Sequence, residues 1–560
     1  MRSVPLTALA LLLVPLVPLG SAPGIAAPAP PPALHFREVS GPWGLSFRHH
    51  NGANGNFYMI ETMGSGVVVW DYDGDGDEDV LFVDSGRLPG ATGAGGAGGT
   101  SPRSILYRND GGGHFVDVTE RAGLQVTGYG MGATAGDVDG DGNVDLYVTA
   151  FGKSQLFHNN GDGTFTDITD RAGVGVTRWT SSAAFGDPDR DGHLDLYVAS
   201  YVDFSFANNP ICGLKAKNLR SYCHPEVYNP LPHHFFHNKG DGTFEDATAK
   251  AGFGGVLGNG LGVLWGDVDD DGWPDLYVAN DMTPSFLFHN KGNGTFEEIA
   301  LAAGVALSDK GLPEAGMGLD MGDLLGHGRE DIMVTHLDGQ TSVVYANQGG
   351  DLFTDARYTS KLAEPSIDKV GFGLAFGDFD QDGDLDVVVA NGHIIHNVEQ
   401  WGTGTTYKQR SQLFENLGDG RFREVTDSGL DVIRSARGLA IGDLDGDGDL
   451  DVVINDNNDE AAVYENVGAR GGWLQVDLAA PAANTGNRFG IGARLEARTG
   501  SKIQKRDVRT ASSYESQNAL TVHFGLGEAK QVDALTVRWL DGKVQVFKDL
   551  PVDRRVQVVR

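Results

Sequence analysis

Past residue 34 the apolar positions fall in short runs separated by turns rich in Gly, Asp and Asn. One pattern returns seven times: a small-residue apolar run, then Asp-x-Asp-x-Asp-Gly-x-x-Asp or a close variant, then an apolar run of the Leu-Tyr-Val kind. The copies begin at Asp71, Asp137, Asp187, Asp267, Asp323, Asp378 and Asp443, between 50 and 80 residues apart. A second pattern follows each. Its clearest copy runs from Leu156 through His158, Asn159, Asn160, Gly161, Asp162 and Gly163 to Phe165, and related segments start at Leu106, Phe235, Leu287, Val344 and Leu413. Asn-x-Gly-Asp-Gly between two alternating runs marks a hairpin. Each unit therefore predicts four strands, and seven such units predict an all-β chain folded as a seven-bladed β-propeller.

The pattern also predicts how the ring closes. The seventh unit runs through Val463, Tyr464, Glu465 and Asn466 but lacks its last strand. That strand stands near the start of the chain, as Phe36-Arg37-Glu38-Val39-Ser40, comparable to Phe422-Arg423-Glu424-Val425-Thr426 of the sixth unit. Residues 34–470 then form the propeller. Residues 471–560 show seven further short runs: Leu474–Leu478, Ala493–Arg498, Ile503–Arg509, Leu520–Phe524, Leu535–Leu540, Val544–Phe547 and Val556–Val559. They predict a separate small β domain of sandwich type.

The repeated loops carry the chemistry. Four carboxylates at alternate positions of a tight loop can converge on one cation, with a Gly permitting the turn and a backbone carbonyl adding a ligand. Asp71, Asp73, Asp75 and Asp79 make one such set, and Asp137, Asp139, Asp141 and Asp145 the next. The others are Asp187, Asp189, Asp191 and Asp195; Asp267, Asp269, Asp271 and Asp275; Asp378, Asp380, Asp382 and Asp386; and Asp443, Asp445, Asp447 and Asp451. Hard oxygen ligands suit Ca²⁺ rather than Zn²⁺ or Cu²⁺, so about six Ca²⁺ sites are expected. The copy at Asp323 has Leu325 and His327 in ligand places and is expected to bind none. An EF-hand would need Glu at the twelfth loop position and flanking helices; Val148 holds that place after Asp137, between strand patterns.

Charge and cysteine usage narrow the setting. The chain has 43 Lys and Arg against 76 Asp and Glu, a net charge of −33. Such acidity argues against nucleic acid and anionic membrane as partners. Residues 1–29 read as a cleaved secretory signal, with Arg2 before an apolar run and an Ala-rich region after it. No other stretch is long and apolar enough to span a bilayer, so no stable membrane insertion is expected after cleavage. The expected location is secreted, extracellular or periplasmic. There the two cysteines, Cys212 and Cys223, are expected to pair.

The Asp loops, with Phe-Gly and Trp-Gly inner runs, resemble the FG-GAP (integrin-type, VCBS-like) repeat. The wider layout resembles the cartilage acidic protein family, whose members end in an ASPIC/UnbV domain. The matching tail holds Asn487-Arg488-Phe489-Gly490-Ile491-Gly492, Ser513-Tyr514-Glu515-Ser516-Gln517, His523-Phe524-Gly525-Leu526-Gly527 and Val537-Arg538-Trp539. The segment holding Cys212, Arg220, Cys223, Pro225 and Tyr228 is similar to bacterial members. One departure is Trp539-Leu540-Asp541-Gly542, where the family has Trp-Pro-x-Gly. The resemblance implies an extracellular, calcium-binding protein, often without a known reaction.

Strand reversal puts the starts of inner strands and the ends of second strands on the face opposite the Asp loops. Glu61, Asp281, Glu314, His336 and His393 fall there, as do long insertions around Cys212–Cys223 and His396–Gln409. Loops of this kind on a rigid scaffold are where binding concentrates. The chain holds no HExxH, Gly-x-Ser-x-Gly, P-loop or CxxC pattern, and no catalytic residue is assigned. Two readings follow: a secreted binding or adhesion module for a protein or glycan, or an exported enzyme with a polar or metal site in a wet central channel.

Overall fold

A computed structural model of the protein describes residues 34–88, 103–468, 471–481 and 486–560. The signal assigned to residues 1–29 lies outside them. Among the described residues up to 468 there are seven four-stranded antiparallel sheets, each in sequential order apart from the last. The inner strands are Val67–Trp70, Tyr129–Gly136, Thr180–Gly186, Gly260–Gly266, Leu319–Gly322, Gly371–Gly377 and Ala436–Gly442, referred to below as blades 1 to 7. Each inner strand packs against the next, and the seventh against the first, which closes the ring. Phe36–Glu38 completes blade 7 by pairing with Ala462–Asn466, in the register Phe36 opposite Asn466.

Inner strands of blades 2, 3, 4, 6 and 7 are rich in Gly, Ala and Ser because seven backbones converge on one axis, whereas blade 1 uses Val-Val-Val-Trp and blade 5 Leu-Asp-Met-Gly. Second and third strands are larger and apolar on both sides, because each sheet is covered by a neighbour on each face. The core accordingly divides into apolar clusters between successive blades. Val68, Trp70, Ala135 and Leu146 fill the gap between blades 1 and 2, and Ala440, Val453, Val67 and Phe82 fill that between blades 7 and 1.

The tail has the seven expected strands. Val522–Gly527, Gly472–Ala479 and Arg554–Val559 form one sheet; Lys502–Asp507, Arg494–Thr499, Gln531–Arg538 and Val544–Pro551 form the other. It is not a detached domain, however. Residues 33–560 form one compact unit. Residues 471–560 carry 14 Lys and Arg against 9 Asp and Glu, and this cationic region sits on the Asp-loop face of an acidic propeller.

One segment of the tail enters the ring. Residues 509–519 hydrogen-bond to the inner strand of every blade. Gln517 N donates to Val67 O (3.0 Å), and the Gln517 Oε1 accepts from Ala135 N (2.8 Å). Thr510 Oγ1 donates to Phe185 O (2.6 Å) and Arg509 Nε to Trp265 O (3.1 Å). Ser513 N donates to Leu319 O (2.8 Å), Leu374 N to Ser513 Oγ (3.0 Å) and Ile441 N to Asn518 Oδ1 (3.0 Å). The approach is so close that a Cβ on Gly66 would lie 1.6 Å from the Glu515 carbonyl oxygen. Ala511, Ser513 and Glu515 all hold positive φ, a conformation that persists only where surroundings impose it. Tyr514 is fully buried, its ring edge-on to Phe372 at 4.9 Å. The wet channel expected from the sequence is therefore plugged. Towards the opposite face it continues into a cluster of Met59, Ile60, Met63, Trp179, Tyr201 and Phe204.

Candidate functional site

Each Asp loop is held by its own carboxylates. In blade 2, Asp137 Oδ1 accepts from Gly140 N (2.8 Å) and its Oδ2 from Gly142 N (2.9 Å). Asp145 accepts from Val138 N (2.9 Å) and from Asn159 N (2.8 Å), tying loop to strand. The fourth Asp does this in other blades too: Asp79, Asp275, Asp386 and Asp451 each accept two backbone N–H groups, as does Asp331 of the altered fifth loop. Where such an oxygen accepts a single bond, as Asp79 Oδ2 does from Tyr72 N, it keeps a second lone pair for a cation.

The loops also hold oxygens with no partner. Asp187 Oδ1 and Asp378 Oδ1 are buried without a hydrogen bond, in residues 4% and 1% exposed. Burial, then the facing Asp191, Asp189 and Asp195, push Asp187 up to about 8; burial likewise takes Asp378 to about 8. Buried carboxylates crowded together and left unpaired are the donor set a divalent cation satisfies. In the fifth loop Asp323 Oδ1 accepts from His327 N and Gly328 N, so the turn survives the loss of ligands.

Sequence reasoning missed two residues of this site. The sequence pattern marks the Asn closing each third strand only as part of a hairpin. It is a strap between blades: Asn159 Nδ2 donates to Tyr72 O of blade 1 (2.7 Å), Asn238 to Val138 O of blade 2 (2.7 Å), and Asn109 to Leu444 O of blade 7 (2.8 Å). The same bond recurs from Asn290, Asn347, Asn416 and Asn466. Asn159→Ala removes donors to Tyr72 O and Val144 O, which are left buried. A loss of about 2–3 kcal/mol is expected in denaturant unfolding; an unchanged midpoint would show the strap to be dispensable.

The second is the residue before that Asn, which faces the loop. It is His158, His237 and His289 in blades 2 to 4, but Arg108, Ala346, Glu415 and Glu465 in blades 1, 5, 6 and 7. His158 Nδ1 lies 3.0 Å from Asp145 Oδ1 and 3.4 Å from Asp139 Oδ2. His237 Nδ1 lies 3.1 Å from Asp195 Oδ1, and His289 Nδ1 lies 3.3 Å from Asp275 Oδ1. The bond to Asp195 and the charge around it push His237 up to about 9 against the opposing effect of burial.

The tail reaches all seven loops. Arg555 donates to Gly76 O (2.6 Å), Arg488 to Asp141 O (2.7 Å), Asn487 N to Gly192 O (2.7 Å) and Arg494 to Asp267 O (3.3 Å). Lys505 donates to Gly328 O (2.7 Å) and Lys502 to Asp382 O (3.0 Å), while His523 Nε2 lies 3.1 Å from Gly448 O. The fifth loop thus keeps a contact although it lost two of its four carboxylates.

On the opposite face the five expected residues lie beneath the loops rather than around an open mouth. Tyr222 OH donates to Glu61 Oε2 (3.0 Å), and Tyr201 OH donates to Asp281. Glu314 pairs with Arg357 at 2.8 Å, which holds its carboxyl below the usual value although burial opposes this. Arg357 also donates to Thr341 O, the acceptor 2.9 Å from His336 Nδ1, so Glu314 and His336 share one cluster. Asp281 bridges to Ala315 beside it. His393 stands apart, 3.6 Å from Asp338, and Glu61 is farther round beside Tyr222. Burial pushes Asp281 up to about 6 and pushes His336 down.

The Cys212–Cys223 bond is formed. The two insertions clasp one another: Asn397 Nδ2 donates to Arg220 O (3.0 Å), and Lys217 Nζ to Trp401 O (2.5 Å). The rings of Phe57, Tyr222 and His396 pack tilted or edge-on with centroids 5.2–5.4 Å apart, and Arg220 lies over the Phe57 ring at 5.1 Å. Among the described residues no helix is long and apolar enough to cross a membrane.

The FG-GAP-like repeat profile matches residues 71–148, 137–198, 230–278, 267–334, 323–389 and 403–454, and the ASPIC and UnbV profile matches 483–560. The chain is 28% identical over 307 residues to cartilage acidic protein 1 of Homo sapiens, covering 53% of this chain and 43% of that one. Against the Xenopus tropicalis protein of the same name it is 28% identical over 293 residues, covering 51% and 42%. The match thus spans less than half the length of these relatives. An Agrocybe aegerita lectin structure, described as recognising non-reducing terminal N-acetylglucosamine, superposes with a TM-score of 0.38 at 17% identity, over 72% of this chain and 94% of that one. With repeat matches over more than half of its residues and the ASPIC and UnbV match behind them, the chain belongs to the FG-GAP-like repeat family, as a member with an ASPIC and UnbV region.

Proposed function

We propose that this is a secreted calcium-binding β-propeller that recognises a protein or glycan through the face carrying the two clasped insertions. The observation that carries the reading is the division of the two faces. The Asp-loop face is covered by the tail, whereas the insertion face offers the Phe57, Tyr222, His396 and Arg220 cluster on a disulfide-anchored loop. Aromatic and Arg side chains on a rigid support are typical anchors of recognition. Glu61, Asp281, Glu314, His336 and His393 support that face from beneath, each already partnered. Ca²⁺ in the six intact loops, held by Asp71, Asp137, Asp187, Asp267, Asp378, Asp443 and their loop partners, would fix the blades that carry it. The enzyme reading is the less favoured one, since Tyr514 and the cluster around Trp179 occupy the part of the channel on the insertion side.

Two measurements test this. Calorimetry on chelated, repurified protein should show about six equivalents of Ca²⁺, none of them lost with Asp323→Asn. A glycan and extracellular-protein array should give a ligand whose binding falls at least about tenfold in Phe57→Ala with Tyr222→Ala. Undiminished binding by that variant would place recognition elsewhere.

A further inference from the structure

We propose that the protein binds a small hydroxycarboxylate in the cavity between the axial segment, the tail strands and the inner-strand ends of blades 5 to 7. Arg506 takes the carboxylate, and His523 Nδ1 accepts from the hydroxyl. This site is separate from the Asp loops and from the insertion face.

The cavity exists because the axial segment plugs the ring without meeting the tail strands on its Asp-loop side. Ser512 and Asn518 of that segment line one side, and Gly322, Gly377 and Gly442, the last residues of three inner strands, line another. The remaining wall comes from the tail strands Lys502–Asp507 and Val522–Gly527, which carry Arg506 and His523. The space measures about 130 Å³. An apolar cavity of about 150 Å³ takes a six-membered ring. Phe376 and Ile441 give this one an apolar wall suited to a carbon skeleton.

Its polar wall is only half satisfied. His523 is 7% exposed, and its Nε2 lies 3.1 Å from Gly448 O. A carbonyl only accepts, so that nitrogen carries the proton and Nδ1 presents a lone pair. Nδ1 is buried and has no partner among the described residues. Burial pushes the ring down to about 4, and the nearby charge of Arg506 acts in the same direction, so the imidazole is neutral. Arg506 has the opposite surplus. It donates to Lys505 O (2.9 Å) and Gln504 Oε1 (3.2 Å), both uncharged, and pairs with no carboxylate among the described residues. The other arginines lining the cavity are paired, Arg509 with Glu330 and Asp507 and Arg555 with Asp477.

An interior guanidinium calls for an anion, and its planar fork matches a carboxylate. The neutral imidazole acceptor beside it calls for a hydroxyl. A molecule carrying both groups satisfies both residues, whereas a plain carboxylate or a neutral sugar satisfies one. Glu330 Oε2, also buried and without a partner, lines the same cavity and can accept from a second hydroxyl.

The test uses the full chain at constant, saturating free Ca²⁺. Lactate, mandelate, gluconate and glucuronate are titrated by calorimetry, and at least one is expected to bind one equivalent with Kd below about 1 mM. Phenylacetate, without the hydroxyl, and glucose, without the carboxylate, should bind at least about tenfold more weakly than their matching acids. Arg506→Gln and His523→Phe should each weaken the acid at least about tenfold. Should Arg506→Gln fail to fold, Arg506→Lys keeps the charge without the fork and should show the same loss. Phe57→Ala with Tyr222→Ala should leave the affinity unchanged, which separates this site from recognition on the insertion face. If none of the four acids binds, the polar wall serves water alone and the proposal falls. It falls equally if the folded Arg506 variant binds as tightly as wild type.

Discussion

A chain ended at residue 470 is expected to yield no stably folded propeller. The segment from Arg509 to Ala519 hydrogen-bonds to the inner strand of each of the seven blades, and its removal leaves those groups facing an empty axis. It would also expose Phe372 and leave Arg437, fully buried over that ring at 4.0 Å, in a hydrated hole. Arg437 is now anchored on Thr62 O, Gly392 O and His393 O. A milder version is Tyr514→Ala, which creates a cavity at the axis and should cost about 3–5 kcal/mol. Tyr514→Phe, losing only the 3.3 Å bond to Met63 O, should cost about 1 kcal/mol. Denaturant unfolding of the two variants and solubility of the truncated chain check the set. A truncated chain that melts cooperatively within a few degrees of the full protein would reduce the tail to an accessory.

In excess chelator the protein should be more stable at pH 5 than at pH 8. Asp137, Asp187 and Asp378 are pushed up to about 8 and Asp79 to about 9, in each case chiefly by burial. A carboxyl group with a raised native value binds more protons folded than unfolded. Its contribution is therefore present at low pH and is lost as pH rises through the native value. The window runs from about 4, the unfolded value, to about 8. His237 and His289, raised to about 9, act in the same direction above their unfolded value. Each fully differing group contributes up to about 1.4 kcal/mol per pH unit, so several together make a large slope. Saturating metal should flatten it, because the ion replaces the protons. Melting curves at both pH values, with and without chelator, read this directly. A chelated protein whose melting temperature rises over that window would show that the loop carboxylates are ionised and satisfied without metal.

Most of the ring was legible because its determinants are local and repeated. The Asp loops, the hairpin turns and the displaced strand at Phe36 each leave a pattern in a few neighbouring residues. Ser513-Tyr514-Glu515-Ser516-Gln517 leaves none, since it has neither strand nor helix period. Its partners are backbone groups on strands up to hundreds of residues away, and only the closed ring gathers them. The histidines were hidden by variable spacing: His158 lies 13 residues from its Asp145 partner, while His237 lies 42 from Asp195, across the disulfide loop. The Asn strap was visible at every repeat, but its acceptor belongs to the neighbouring blade, and one unit read alone cannot show it.

Stacked repeats commonly melt in pieces, each unit held only by the next. The segment at the axis changes that arithmetic here. No blade can lean outward without breaking a bond to the same eleven or so residues, so a local opening is transmitted around the whole circle and unfolding should be all-or-none despite the chain's length. It also restricts where the sequence can grow. Both long insertions lie between a second and a third strand, Ser200 to His234 in blade 3 and Asn391 to Gln412 in blade 6, on the outward side of the innermost strand. Added chain there extends over that face, where Phe204, Cys223 and Tyr228 of the first insertion join the apolar cluster next to Tyr514.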